Sequence, residues 1–305
     1  MGMYEVVKKA FPEKFAATSF YHYTTSKVLD ELVKDDAHLY CTSTDDLNDE
    51  VEFSHGLSLG LDYLKRMYGV GSGMLRSIED TIGMLKAKKM WHGWVMSLSS
   101  KKDDLGQWRA YTDPKEGGYA VEFDAHQMRM LIERRTHMWH KKEDALGAPV
   151  PVILYIFPCF YEGHDDAVRL LDIFFKEFAP AYSHLVQARD VNESLRLVAT
   201  VLSLLLLFAS VYKQESFHDE SETRLVMLNQ FAPGSEDCKP VVVGGKLRLP
   251  IPLFPELLKV RDVIKSVCRS PHGNRTFLEE HANDLKRSFN CSFSCEKSRS
   301  TFRGN

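Results

Sequence analysis

The 305-residue sequence predicts an α+β fold. Three observations carry that expectation. Short strand-like runs and long helix-prone runs are interspersed, without the regular alternation of a doubly wound sheet. No glycine-rich turn follows a strand, as a dinucleotide-binding βαβ unit requires. Hydrophobic residues make up 44% and charged residues 27%, the balance of an ordinary globular protein.

The elements follow in order. Phe20 to Tyr23 is an aromatic run with strand character. Thr24 or Thr25 suits a helix cap, because Val28, Leu29, Leu32 and Val33 then share one helical face. Leu39 to Ser43 reads as a second strand, followed by an acidic turn from Asp45 to Glu50. Residues 55–93 are helix-prone and break at Gly69-Val70-Gly71-Ser72-Gly73. Trp94 to Leu98 is a strand. Tyr119, Val121 and Phe123 alternate as a half-buried strand, with Asp124 capping a helix to about Arg134. Val152 to Phe157 reads as a buried strand. Asp165 or Asp166 caps a helix through Phe178, and a long helix spans 192–214. Arg224 to Leu228 is a strand. Val241 to Val243 and Leu247 to Ile251 form a hairpin across Gly244-Gly245. A helix near 275–288 and a strand near 290–295 close the chain. This organisation is one α+β domain over 1–305, with helical insertions at about 55–93 and 160–215.

Bulk properties narrow the function. A net charge of -3 shows no basic excess that would mark a nucleic-acid binder. The six cysteines are irregularly spaced with no Cys-x-x-Cys pair, so free thiols in a reducing cytoplasm are expected. Leu197 to Tyr212 is uncharged for sixteen residues, flanked by Arg196 and Lys213. A membrane helix needs about 20, so a buried helix is expected and no membrane partner.

Four segments carry candidate chemistry. In Phe20-Tyr21-His22-Tyr23-Thr24-Thr25, the imidazole can bond a ligand while a tyrosine stacks on it; a core strand is the alternative. Tyr40-Cys41-Thr42-Ser43-Thr44 leads into Asp45, Asp46, Asp49 and Glu50, either a divalent-metal cluster or a surface turn. Trp108, Arg109 and Tyr111, with Gly117-Gly118 downstream, are binding residue types that also suit a packed helix end. On a strand, Glu220, Glu222 and Arg224 would share one face, either a site that perturbs a carboxylate or an exposed charged edge. His137 and His140 lack an acidic partner at motif spacing and read as surface.

Taken in order, these segments resemble a bacterial family known only as domain of unknown function 2971. Tyr21-His22-Tyr23-Thr24 matches its opening strand, and Leu39 to Ser43 with Leu47-Asn48-Asp49 its second segment. Ser100, Asp104, Trp108, Tyr111, Gly118 and Phe123 match its central stretch. Glu220, Glu222 and Arg224 match its Glu-x-Glu-x-Arg, and Ser298 to Phe302-Arg303 its tail, with Phe for Tyr. The resemblance runs from about 20 to 303.

The same layout is similar to the ADP-ribosyltransferase superfamily, which implies mixed, mostly antiparallel sheets and NAD as substrate. It implies that His22 binds the nicotinamide-side ribose or amide, and that Tyr23 or Tyr40 stacks near the nicotinamide. Thr42-Ser43-Thr44 would stand at the Ser-Thr-Ser strand, placing Ser43 in the site. Glu222 would be the catalytic carboxylate, Glu220 would orient the acceptor, and Arg224 or Arg109 would hold the pyrophosphate. The acceptor would be a protein or nucleic acid, and the role that of a toxin, effector or defence protein. Two rivals remain: a metal-dependent nuclease or hydrolase using Asp45, Asp49, Glu220 and Glu222, and a non-catalytic ligand-sensing module. His22 and Glu222 are expected in one cleft, on adjacent strands.

Overall fold

A computed structural model describes residues 3–47, 51–70, 72–87, 93–139, 152–176, 191–229, 239–243, 245–251 and 259–300. Asn48, Asp49, Glu50, Gly71, His140, Phe178, Cys238, Gly244, Phe302 and Arg303 lie outside those residues, as do the side chains of His137 to Trp139. The fold is α+β with a mixed, mostly antiparallel sheet, as expected.

The elements are α1 (Met3–Ala10), β1 (Ser19–Thr24), α2 (Ser26–Leu32), β2 (Leu39–Ser43), α3 (Glu52–Tyr68), α4 (Gly73–Ala87), β3 (Gly93–Ser99), α5 (Leu105–Tyr111), β4 (Tyr119–Asp124) and α6 (Ala125–Trp139). Then come β5 (Val152–Pro158), β6 (Phe160–Tyr161), α7 (Asp165–Lys176), α8 (Val191–Val211), β7 (Tyr212–Lys213), β8 (Glu222–Asn229), β9 (Val241–Val243), β10 (Lys246–Ile251), β11 (Ile264–Arg269), α9 (Arg275–Phe289) and β12 (Ser294–Lys297). Short 3-10 turns occupy Thr44–Asp46, Glu215–Glu220 and Val260–Val263. Thr25 is the cap residue of α2, though its hydroxyl makes no capping bond. Asp124 accepts from the Gln127 amide at 2.9 Å, as its place before α6 suggested.

Ten strands form one sheet, and β3 is its branch point. One edge of β3 pairs along its whole length with β8, which pairs in turn with β5. The other edge is shared. β2 takes the start of β3, with Thr42 opposite Val95 and Ser43 opposite Trp94. β1 takes the end, with Tyr21 opposite Ser99. Beyond β1 lie β4, β11 and β12; beyond β2 lie β10 and β9. Only β11–β12 runs parallel within this sheet.

Strand alternation sends side chains to two cores. Phe20, Cys41, Trp94, Met96, Val121, Phe123, Leu225 and Met227 meet α2, α6 and α9 on one face. Val95, Val226 and Leu228 meet α1, α3, α4, α7 and α8 on the other. The two helical insertions therefore pack together as one layer. Gly56 and Gly60 on α3 let α8 approach closely: a Cβ on Gly60 would stand 2.7 Å from Leu205 Cδ2. This contact explains the apolar run ending α8, and no described helix is long and apolar enough to cross a membrane.

The structure corrects these expectations at four points. Glu220 belongs to the 3-10 turn, not the strand: Ser221 takes a left-handed conformation (φ 47°) and β8 starts at Glu222. β8 is no exposed edge, because β3 and β5 flank it. β11 went unforeseen, since a bulge between Ile264 and Ser266 breaks its alternation, and it is buried on both faces. The final strand starts at Ser294 rather than near 290. The five described cysteines are free thiols.

Candidate functional site

On β8, Glu222, Arg224, Val226 and Leu228 share one face. Val226 and Leu228 lie beneath the helical layer. Where that layer ends, the row continues as Arg224 and Glu222, and a cavity of about 710 Å³ opens. β1, β2, β3, β8, β10 and the C-terminal end of α5 wall it.

The floor is a buried ion cluster. Arg224 Nε donates to Glu222 Oε1 at 2.8 Å, and Nη2 to Glu222 Oε2 at 3.2 Å. Arg224 Nη1 reaches Glu52 Oε1 at 2.5 Å and the Ser210 carbonyl at 2.8 Å. That carbonyl lies in the last turn of α8, where main-chain acceptors lack helical donors. Lys213, delivered by β7 as α8 ends, donates to Glu222 and, at 2.7 Å, to Glu220. The side chains of Glu52, Lys213, Glu222 and Arg224 are each at most 5% exposed, whereas that of Glu220 is 24% exposed.

Electrostatics fixes the charge states. Burial alone would raise the Glu222 carboxyl, but Arg224 and Lys213 outweigh it and hold it down at about 2. Burial opposes the charge on Lys213, yet Glu222 keeps it protonated, and Arg224 is held cationic likewise. Tyr111 is pushed up to about 12 by burial and by Glu222 and Glu220.

His22 and Glu222 do line one cleft. Their strands are not adjacent, however, because β3 runs between them. His22 exploits the shared edge of β3. Between the β2 and β1 pairings the Ser97 carbonyl is left for a side chain, and His22 Nδ1 takes it at 3.2 Å. A carbonyl only accepts, so Nδ1 carries the proton and Nε2 is an acceptor. Burial pushes the imidazole down to about 4, with Arg248 adding to that effect and the Ser97 carbonyl opposing it.

At His22 the unfolded chain takes up a proton near the ordinary value of 6.5, but the folded chain refuses it until about 4. The native state therefore loses stability as pH falls from 6.5 to 4, by ~3 kcal/mol in all. Urea unfolding at stepped pH is expected to show that loss, reduced in His22→Gln. Parallel curves for both proteins would contradict it.

Other expected site residues divide. Tyr40 lines the cleft with its ring partly exposed. Tyr23 forms wall only: its hydroxyl donates to the Lys101 carbonyl at 2.8 Å and accepts from the Asp104 amide at 2.9 Å, and its ring meets Trp108 edge-on. Ser43 is outside the cleft, because alternation turns Tyr40 and Thr42 inward and Ser43 away; its hydroxyl takes the Asp45 amide. Arg109 is exposed and does not line the cleft, whereas Tyr111, two residues on, does. Trp108 is fully buried, its indole donating to Asp103 at 2.7 Å. Burial works against the Asp103 charge, but Ser298, Trp108 and the amides of Arg299 and Ser300 hold its carboxyl below the usual range.

The metal reading gains little. Asp46 lines the cleft but accepts the Leu247 amide at 2.6 Å, and both Glu222 oxygens already bind cations. Among the described residues no group of three His, Cys, Asp or Glu is placed to hold a metal.

Sequence reasoning missed Lys213 and Glu52. Lys213 had a signal: a lysine ending a buried apolar run, seven residues before a pair of acids, needs a buried carboxylate. Glu52 had none.

A family profile described as Protein of unknown function (DUF2971) matches residues 107–225. That stretch supplies Tyr111, Lys213, Glu220, Glu222 and Arg224. No curated protein and no solved structure matches the chain.

Proposed function

We propose that the cleft binds NAD and that the protein transfers its ADP-ribosyl group, in the manner of an ADP-ribosyltransferase. One observation carries the reading: an accessible carboxylate, Glu220, is held by a buried lysine among tyrosine rings, with a neutral histidine across β3. Glu220 Oε2 is engaged by Lys213, and Oε1 has no partner among the described residues. Tyr21, Tyr40 and Tyr111 line the same cavity. Rings suit a flat nicotinamide, and the His22 Nε2 acceptor suits an amide N–H or a ribose hydroxyl.

The chemistry follows from charge. Breaking the bond between the nicotinamide nitrogen and ribose C1′ sends the bonding pair to nicotinamide, which leaves neutral. The ribose gains oxocarbenium character, and a carboxylate beside it stabilises that charge. A protein or nucleic-acid acceptor forms the new bond at C1′ and releases its proton to water.

Roles divide between the two glutamates. Glu222 is committed to Arg224 and Lys213, so it acts as a positioning residue. Its permanent charge fixes Lys213, and Lys213 fixes Glu220. Glu220 is the carboxylate that touches ribose.

Incubation with NAD, followed by proton NMR, is expected to show free nicotinamide accumulating. Binding without release would point to a sensing module. Absence of both binding and release would end the NAD reading.

A further inference from the structure

We infer that the β2–β10 wall of the cleft is a phosphate subsite centred on the Arg248 guanidinium, shaped to receive a nucleoside diphosphate group. The anion subsite rests on geometry alone; its assignment to the diphosphate of NAD rests on the reading above.

The two arginines on this sheet face are in opposite situations. Arg224 is hydrogen-bonded to Glu222 and the Ser210 carbonyl and ion-paired with Glu52. Arg248 lines the same cavity, yet its Nε is buried with no hydrogen-bond partner. No carboxylate among the described residues pairs with its guanidinium. A desolvated cationic donor without an acceptor is costly, and an anion entering the cleft supplies what is missing.

The register shows how the wall is built. Arg248 stands opposite Thr42, and Thr42 opposite Val95, which pairs with Val226. Residues directly opposite share a face, so Arg248 and Thr42 present a guanidinium and a hydroxyl side by side. Lys246 lies two residues along on the same face and also lines the cavity. A fork of guanidinium donors matches phosphate oxygens, and the hydroxyl and ammonium add to it. Among the described residues the carboxylate at this wall is Asp46, whose Oδ2 is engaged by the Leu247 amide.

The opposite wall sets the direction of a ligand. From β10 through β2 and β3 to β8 is three strand steps, or ~14 Å between backbones. At the β8 end, Glu52, Glu220 and Glu222 outnumber Lys213 and Arg224 and repel a phosphate. A molecule with a cationic ring at one end and a diphosphate farther along is held one way round.

The test uses ADP and adenosine as probes, titrated calorimetrically into the whole protein. ADP is expected to bind at least tenfold more tightly than adenosine. Arg248→Met is expected to weaken ADP at least tenfold and leave adenosine unchanged. Among the described residues Arg248 has no carboxylate partner to orphan, so an unchanged melting midpoint is expected for the variant. In the wild type, ADP is also expected to raise the His22 titration point by NMR, because an anion beside Arg248 offsets its charge; adenosine should not. Equal ADP affinity in wild type and Arg248→Met, or no effect of ADP on His22, would overturn the subsite. The two proposals separate cleanly. Arg248-dependent ADP binding without nicotinamide release keeps the subsite and removes the transferase reading. Nicotinamide release with an unchanged KM in Arg248→Met does the reverse.

Discussion

Arg224→Met is expected to lower the free energy of unfolding by about 3–5 kcal/mol, the cost of breaking a buried ion pair from one side. Arg224 binds both oxygens of Glu222 and reaches Glu52, and those carboxylates are 5% exposed. Without it, two buried anions face each other and Lys213 is the remaining buried cation. The loss reflects uncompensated charge rather than lost packing, and a second substitution shows this. Glu222→Leu in the Arg224→Met background removes one orphaned carboxylate and is expected to recover more than half of the stability. Lys213 then keeps Glu220, with Glu52 nearby. Urea denaturation of the four proteins closes the cycle. A single-variant cost under about 1 kcal/mol, the size of a surface pair, would show that the cluster is not a unit.

Glu220→Gln is expected to lower kcat for nicotinamide release by about 10²–10³, the loss typical of removing one group aimed at transition-state charge. The amide keeps the shape and one acceptor oxygen but cannot balance a forming cation. Because the side chain is a quarter exposed and makes one hydrogen bond, its melting midpoint should barely move. Glu222→Gln is expected to differ in kind. It disturbs Arg224 and Lys213 together, so activity and stability fall in parallel, and KM changes as Glu220 loses its fixed partner. Steady-state kinetics beside thermal melts distinguish the two. If Glu220→Gln retains wild-type turnover while Glu222→Gln abolishes it at unchanged stability, the roles assigned to the two carboxylates are reversed.

Much of the fold was legible because local patterns and tertiary packing agree. Tyr119 to Phe123 forms a strand as read, although it is buried on both faces rather than half-buried, and Asp124 caps α6 as its position suggested. β11 was hidden because it is bulged and buried on both faces, which erases period two. Glu220 was placed on the strand because spacing alone cannot show a left-handed Ser221. In the site, the aromatic and acidic anchors were legible as unusual residue types, and His22, Tyr40, Glu220, Glu222 and Arg224 do converge. Ser43 and Arg109 do not line the cleft because nearness in sequence is not direction: alternation turns Ser43 away from it, and the helix turns Arg109 to solvent. Part of the resemblance also proved architectural. Asp103, which lies before the matched residues 107–225, ties Trp108 within them to Ser298 and so binds the 298–300 segment to α5.

One cleft is proposed to hold NAD, with its nicotinamide ribose at Glu220 and its diphosphate at Arg248. A crystal structure of Glu220→Gln soaked with NAD tests it most directly, because slowed turnover preserves the intact dinucleotide. The ribose hydroxyls are expected within hydrogen-bond distance of residue 220, the ring beside Tyr40 or Tyr111, and the diphosphate on Arg248 and Thr42. NAD bound elsewhere, bound in the opposite direction, or absent at saturating concentration would contradict it.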